Sequence, residues 1–381
     1  MTDLTSCTIK ILTHPDQLSN DWPQGIAGET SLAQSLIFQS KTFLAAWAKS
    51  YGARTDCKML FVEVYDADNK PLIFLPFAMR QQHGINTLTF TDHDVCDYNA
   101  PVLFQDFTLW SKTQVQALLN MILAALPPVD VINLQKMPQW VGEQPNPLFL
   151  ISNQTHAEAG HFSTLDQPWQ KLEKSLHRIK NTKQRYRNLL RMGGFEFKIA
   201  ETDDERHAFI AALIAQKQRR FVETNVPGFH EHPEKQQFFE LATDDFGQAQ
   251  TLHLAALLMN GEIIATLWGL LDGKTYFGMM ISHEAEHWSK YSPGMVLHYL
   301  VMQNLHEQGF AVLDLGVGDE AWKVNMCDGV RLLHNYKAAL TLKGRLTLMA
   351  KSLLTGLRST RIWQAIRPLK WKLLRLVKPS M

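Results

Sequence analysis

The stretch KYSPGMVLHYLVMQNLHEQGFAVLDLGVGDEAWK, residues 290–323, decides the fold. It reads as a loop entering a helix, then a short apolar strand, then a polar glycine-rich loop. Pro293 suits the first helical position, where a missing N–H costs nothing; Ser292 before it has the chemistry of an N-cap, and Gly294 allows a backbone or a ligand to approach closely. The helix should run to about Gln308 and stop at Gly309. Residues 311–316 (AVLDLG) have the pattern of a short buried strand, and the loop 316–320 (GVGDE) sets acids just past its C-terminal end. A helix N-terminus beside such a strand end can hold an anion, typically a phosphate.

The combination YSPG, helix, DLGVGDEAWK resembles the FemAB-like branch of the GNAT acyltransferases, in particular the CelD/BcsL group of cellulose biosynthesis. The likeness is strong over 290–323 and extends weakly over roughly 30–345. Ser292, Pro293, Gly294, Asp314, Gly316, Gly318, Asp319 and Lys323 match the family pattern, and Trp322 stands where an aromatic is usual. One departure is Val296, where the ordinary GNAT pyrophosphate loop carries a second glycine. The resemblance implies acyl-CoA as co-substrate with no permanently bound cofactor, and Ser292, Pro293, Gly294 and Met295 as the turn that takes it.

The rest of the chain repeats one order of elements. Residues 61–80 and 254–273 both read as strand, tight turn, strand, with turns at 66–70 and at Asn260-Gly261. Helical pattern precedes each hairpin, at 41–50 and at 203–222 with 234–243. After each comes a strand (86–90 and 275–281), a polar loop, a helix (113–126 and 293–308) and a last apolar strand (129–134 and 311–315). Tandem GNAT-like domains of α/β (α+β) class with mixed central sheets explain this order. The expected division is 1–160 for the first domain, 161–194 for a basic connecting helix, 195–345 for the second domain with the donor site, and 346–381 for a basic amphipathic tail.

The two copies differ where chemistry is expected. The first offers Leu109-Trp110-Ser111-Lys112-Thr113 before its helix, without a glycine for phosphate approach, and its last strand ends Leu134-Gln135-Lys136-Met137-Pro138 without an acidic loop. The second domain is therefore the donor candidate, and the first shapes the acceptor groove. The polar loop 91–99 either lines that groove, with Asp97 and Tyr98 at the substrate, or is solvated.

With 381 residues, 45% apolar and 20% charged, the chain can bury two ordinary cores. The N-terminus MTDLTSCTIK lacks the basic and apolar regions of a secretory signal, and no run of about 18 apolar residues could span a bilayer. Cys7, Cys57, Cys96 and Cys327 show neither metal-like nor paired spacing, which points to a reducing cytoplasm. The net charge of +1 hides an asymmetry: residues 329–381 hold twelve Lys or Arg and no acid. In that tail Leu346, Met349, Leu353 and Leu357, then Ile362, Ile366, Leu369, Leu373 and Val377, recur at helical spacing, with Trp363 and Trp371 suited to an interface. Packing on the acidic body, peripheral binding to an anionic inner membrane face and nucleic-acid binding remain open for it. The connecting segment also carries eight Lys or Arg between Lys171 and Arg191, among them Arg178, Lys183, Arg185 and Arg187, either as a solvated face or as an attractor of phosphates.

Acyl transfer requires a base for the nucleophile and stabilisation of the developing oxyanion. Asp319 is the leading base, Lys323 would stabilise negative charge or hold a substrate carboxylate, Trp322 would wall the pocket, and Asp314 reads as substrate-facing or as a structural carboxylate bonded to loop amides. His283 at a strand end is a back-up base. His283 and His287 also form HEAEH, a literal match to the zinc signature, but the motif falls in a loop and no metal is expected. The acceptor would be an amine or hydroxyl of a small polar, saccharide or peptide molecule related to the envelope, an amine being favoured. Two alternatives stand beside acyl-CoA chemistry: transfer from aminoacyl-tRNA, and a non-catalytic scaffold of a polysaccharide system at the membrane surface.

Overall fold

The computed structural model describes residues 4–31 and 33–358, the last five by backbone alone. Two mixed sheets carry the fold. In the first, the strands Cys57–Tyr65 and Pro71–Gln82 form a hairpin whose turn is closed by the Asp66 N–H donating to the Lys70 carbonyl at 2.9 Å. Ile85–Phe90 follows antiparallel, the helix Lys112–Ala125 crosses the sheet, and Val131–Pro138 returns parallel to Ile85–Phe90. The second sheet repeats this with Leu252–Met259, Glu262–Asp272, Thr275–His283, the helix Pro293–Glu307 and Val312–Val317. Its hairpin turns through Asn260 (φ 51°) and Gly261 (φ 83°), the two positive angles of a type I′ turn. The duplicated α/β architecture expected from the sequence is present.

The sheets do not follow a division of the chain at residues 160 and 345. Gly160–Thr164 lies in the second sheet between Val312–Val317 and Gly329–Arg331, while Leu333–Ala339 crosses back to pair with Val131–Pro138 in the first. Period-two patterning marks a strand but carries no information about which sheet takes it. This exchange ties the halves together, and a shared apolar core completes the tie. Phe38 meets Phe277 at 5.1 Å between ring centroids and Phe43 meets Phe238 at 5.1 Å, with Trp47, Tyr98 and Trp268 in the same buried cluster.

The connecting segment is not one helix. After the strand, Trp169–Ser175 and Ile179–Met192 are separated by a break at which Arg178 takes φ 54°, and Gly193 (φ 77°) ends the second helix. Leu172, Leu176 and Leu189 are buried as the apolar spacing requires, whereas Leu190 is exposed. Glu173 fastens the pair to the second domain: it accepts from Lys183 Nζ at 2.9 Å and from the Tyr299 hydroxyl at 2.7 Å. At the C-terminus, the helix Leu342–Arg358 leaves Leu346, Met349 and Leu353 59%, 61% and 67% exposed, so this part of the stripe is not packed on the body. The second stripe, 361–378, lies outside the described residues. Among the described residues, no helix is long and apolar enough to cross a membrane.

Candidate active site

A cleft opens where two neighbouring strands part. Thr275–His283 and Val312–Val317 pair only from Thr275 opposite Val312 to Phe277 opposite Asp314, and beyond that they diverge. The resulting cavity of about 530 Å³ is lined by Gly278, Met279 and Ile281 on one side and Leu315 on the other, with the start of the helix Pro293–Glu307 beside them. Past Phe277, one edge of this strand faces the cleft instead of a partner, a row of backbone groups for an extended ligand to hydrogen-bond.

The turn into the helix is built differently from the capping expected of it. Ser292 occupies the N-cap position in a left-handed conformation (φ 45°), and its hydroxyl caps nothing; its carbonyl takes the Met295 and Val296 amides at 3.0 and 3.2 Å. Ser292, Gly294 and Met295 line the cleft, while Pro293 is buried at the first helical position. A Cβ on Gly294 would lie 3.0 Å from His283 Cδ2, so the space this glycine keeps open is used by the His283 ring. The Nδ1 of His283 lies 2.8 Å from the Glu284 carbonyl. A carbonyl can only accept, so Nδ1 carries a proton, and in the neutral ring it is then Nε2 that holds the lone pair a general base needs.

On the opposite wall, Lys323 is nine-tenths buried and donates to the Val317 carbonyl at 2.8 Å, with Glu320 at 3.2 Å. Trp322 and Lys323 both line the cleft, and Trp322 packs edge-on to His298 at 6.0 Å. His298 is 1% exposed with neither ring nitrogen hydrogen-bonded, and burial pushes its pKa down to about 4, so the ring is neutral.

Asp319, the leading base by sequence, does not line this cleft. Its carboxylate takes the His161 Nε2 at 2.9 Å and the Ala159 amide at 3.3 Å, and the hydrogen bond from His161, followed by that amide, holds its pKa below the usual carboxylate range. Gly316 (φ 69°) and Gly318 (φ 130°) reverse the loop twice, so the direction of Asp319 could not be read from strand alternation.

Asp314, Tyr98 and Asp97, expected at the substrate, instead lock the two halves together. Asp314 is fully buried, accepts from the Tyr98 hydroxyl at 2.7 Å and the Gly316 amide at 2.8 Å, and faces Arg331 at 3.6 Å; burial raises its pKa to about 6 despite these partners. Asp97 reaches across to accept the Val317 amide at 3.1 Å. The loop around them is not solvated: Val95, Cys96, Tyr98 and Asn99 are buried, and Lys136 is buried against Asp92 at 2.8 Å. It bounds a second, polar cavity of about 500 Å³ lined by Tyr51, Arg54, Arg80, His93, Glu234 and Lys235, among others.

His287 lies tilted against Trp288 at 4.5 Å rather than sharing a helix with His283, and no cluster of metal-ligating side chains occurs among the described residues. The sequence reading missed Lys217, Arg219 and Arg220, which line the cleft from the helix Asp203–Thr224. Their run, KQRR at 217–220, was visible as a charged helix face but carried no sign of where that face points. Of the basic residues weighed on the connecting segment, none lines the cleft.

Residues 177–324 match the family model of the acetyltransferase (GNAT) domain. No curated protein matches the sequence. Among solved structures, FemX superposes with a TM-score of 0.53 at 10% identity, over 77% of this chain and 91% of that chain. The C-terminal domain of a putative lysylphosphatidylglycerol synthetase from Agrobacterium fabrum aligns with a TM-score of 0.48 at 12% identity, over 82% and 91%. A tandem GNAT protein from the clavulanic acid pathway gives 0.47 at 10% identity, over 88% and 99%. Residues 177–324 are thus similar to a GNAT-type acetyltransferase domain, and the likeness to FemX, over 77% of this chain, is one of fold.

Proposed function

We propose that the protein transfers an acyl group from acyl-CoA to an amine of a small polar or envelope-related acceptor, with the donor in the cleft between the diverging strands and the acceptor entering from the first domain. The observation that carries this reading is the cleft itself: inside the GNAT-matching segment, an unpaired strand edge, a helix N-terminus and a basic helix face meet around one cavity. The pantetheine amides would pair with the strand edge, and the phosphates would sit against the helix start and Arg219 and Arg220.

In this reading His283 Nε2 takes the proton of the attacking amine. The nitrogen bonds to the thioester carbon, the C–S bond breaks, and the thiolate leaves to be protonated as free thiol. Neutral amine and thioester need no further reactant. Lys323, fixed by Val317 and Glu320, supplies positive charge near the developing oxyanion. Release of CoA thiol in the presence of amine acceptors tests the assignment. His283→Asn should slow release by about 10²-fold or more, and Asp319→Asn should leave it within a few-fold. The reverse ranking returns the base to Asp319. Aminoacyl-tRNA as donor predicts thiol release at background in all variants.

The basic tail supports a second element of the proposal, peripheral association with an anionic membrane face. The exposed Leu346, Met349 and Leu353 are continuous in sequence with the rest of the basic, acid-free segment.

A further inference from the structure

Between the cleft and the polar cavity lies a third, smaller space of about 120 Å³. It shares Lys217 and Met279 with the cleft and Asp94 and Lys235 with the polar cavity, so the three spaces adjoin in a row from the donor side to the first domain. Two ammonium groups, those of Lys217 and Lys235, line this junction together with Asp94 and Asp97, and among the described residues neither lysine forms an ion pair. Lys217 Nζ has the Ile281 carbonyl at 3.5 Å and sits 5.8 Å from the Phe221 ring centroid; among the described residues, neither Lys217 nor Lys235 lies within 4 Å of a carboxylate.

Four of the neighbouring acids are already engaged. Asp92 holds Lys136, Glu234 holds Arg54, Glu320 holds Lys323, and Asp97 takes the Val317 amide. Asp94 lines the junction beyond ion-pair distance from Lys235. Both lysine pKa values are lowered, by burial first; the charge of Lys235 adds to the lowering at Lys217 where Glu320 opposes it, and at Lys235 the charge of Asp94 opposes the lowering without reversing it. Half-buried like charges facing one small cavity are unfavourable in the empty space and become favourable when an anion sits between them.

We propose that this junction is an anion subsite, in which Lys217 and Lys235 hold a carboxylate or phosphate of the acceptor. The acceptor is then an anionic molecule spanning these spaces, its nucleophile toward His283 and its remaining polar part in the cavity lined by Tyr51, Arg54 and Glu234. The word acceptor rests on the acyltransferase reading; the subsite itself does not.

The test is titration with inorganic phosphate and, separately, acetate, both with the donor cleft saturated by CoA and without CoA, followed by calorimetry and by NMR of the lysine Nζ groups. One of the two anions should shift the Lys217 and Lys235 signals and raise their pKa values. Lys235→Met, a residue that does not line the donor cleft, should weaken that binding at least tenfold with CoA affinity unchanged, and Lys235→Arg should retain it. Preference for phosphate or for acetate identifies which oxyanion the acceptor carries. Absence of any shift at both lysines in the wild-type protein overturns the subsite, as does equal anion affinity in Lys235→Met. Should CoA fail to bind while phosphate still tracks the two lysines, the acyl-CoA reading falls and the subsite stands.

Discussion

Replacing Gly316 by alanine probes the joint on which the site is hung. Gly316 takes φ 69°, and a Cβ there would lie 2.4–2.5 Å from all three carboxyl atoms of Asp97. That carboxyl is half-buried and accepts the Val317 amide, one residue from the glycine and on the residue whose carbonyl anchors Lys323. The left-handed backbone costs an alanine about 1–2 kcal/mol. Expelling Asp97 from its hydrogen bond adds about 1–3 kcal/mol, for a total loss of about 2–5 kcal/mol in urea-induced unfolding. Asp97→Ala removes the atoms in the way, so in that background Gly316→Ala should cost only the backbone part. A double-mutant cycle should therefore give a coupling of about 1–3 kcal/mol between residues from opposite halves of the chain. Additivity within about 0.5 kcal/mol would refute the joint, because it would mean that the added methyl and the carboxyl never compete.

Further outcomes follow from burial and charge. His253 and His298 have pKa values pushed from 6.5 to about 4 by burial, so between these limits the unfolded chain binds more protons and stability falls as pH drops, by about 3 kcal/mol for each ring. Asp314 opposes this: its raised pKa of about 6 means that it adds stability at low pH and loses it as pH rises toward 6. The two histidines outweigh the one acid, and His298→Gln should flatten the acid limb of a stability–pH curve; an unchanged limb would show that His298 is not buried neutral. Intact protein should sediment with anionic vesicles and little with neutral ones, with binding that weakens as salt rises. Deletion after Gly344 should abolish it, and a truncated chain that melts far lower would show instead that the tail packs on the body.

The duplicated order of elements was legible because each hairpin carries its own turn chemistry, Asn260-Gly261 in one half and the 66–70 loop in the other. The helix from Pro293 and its stop at Gly309 were legible for the same reason, since the signals act over one turn of backbone. What could not be read was long-range. Nothing in Gly160–Thr164 or Leu333–Ala339 announces the sheet that takes each strand. Nothing local to Asp314 announces Tyr98 more than two hundred residues earlier. The candidate site divided along the same line. His283 and Gly294 meet at the cleft beside the helix start, and Lys323 is held on the opposite wall by Val317 and Glu320, its neighbours in sequence. Asp319 points elsewhere because its partner, His161, arrives on an exchanged strand. Lys217 and Lys235 were invisible as a pair, since they come from separate helices and meet only across a cavity.

Calorimetric titration of the intact protein with CoA, alongside Gly294→Glu, tests the donor assignment most directly. The glutamate would thrust a like charge and its bulk into the cleft at the helix start, where the Cβ already meets His283 at 3.0 Å. Expected are one CoA bound per wild-type chain and no measurable binding by a variant that still folds. No heat from the wild type, or equal affinity in the folded variant, would contradict the placement of acyl-CoA between the diverging strands.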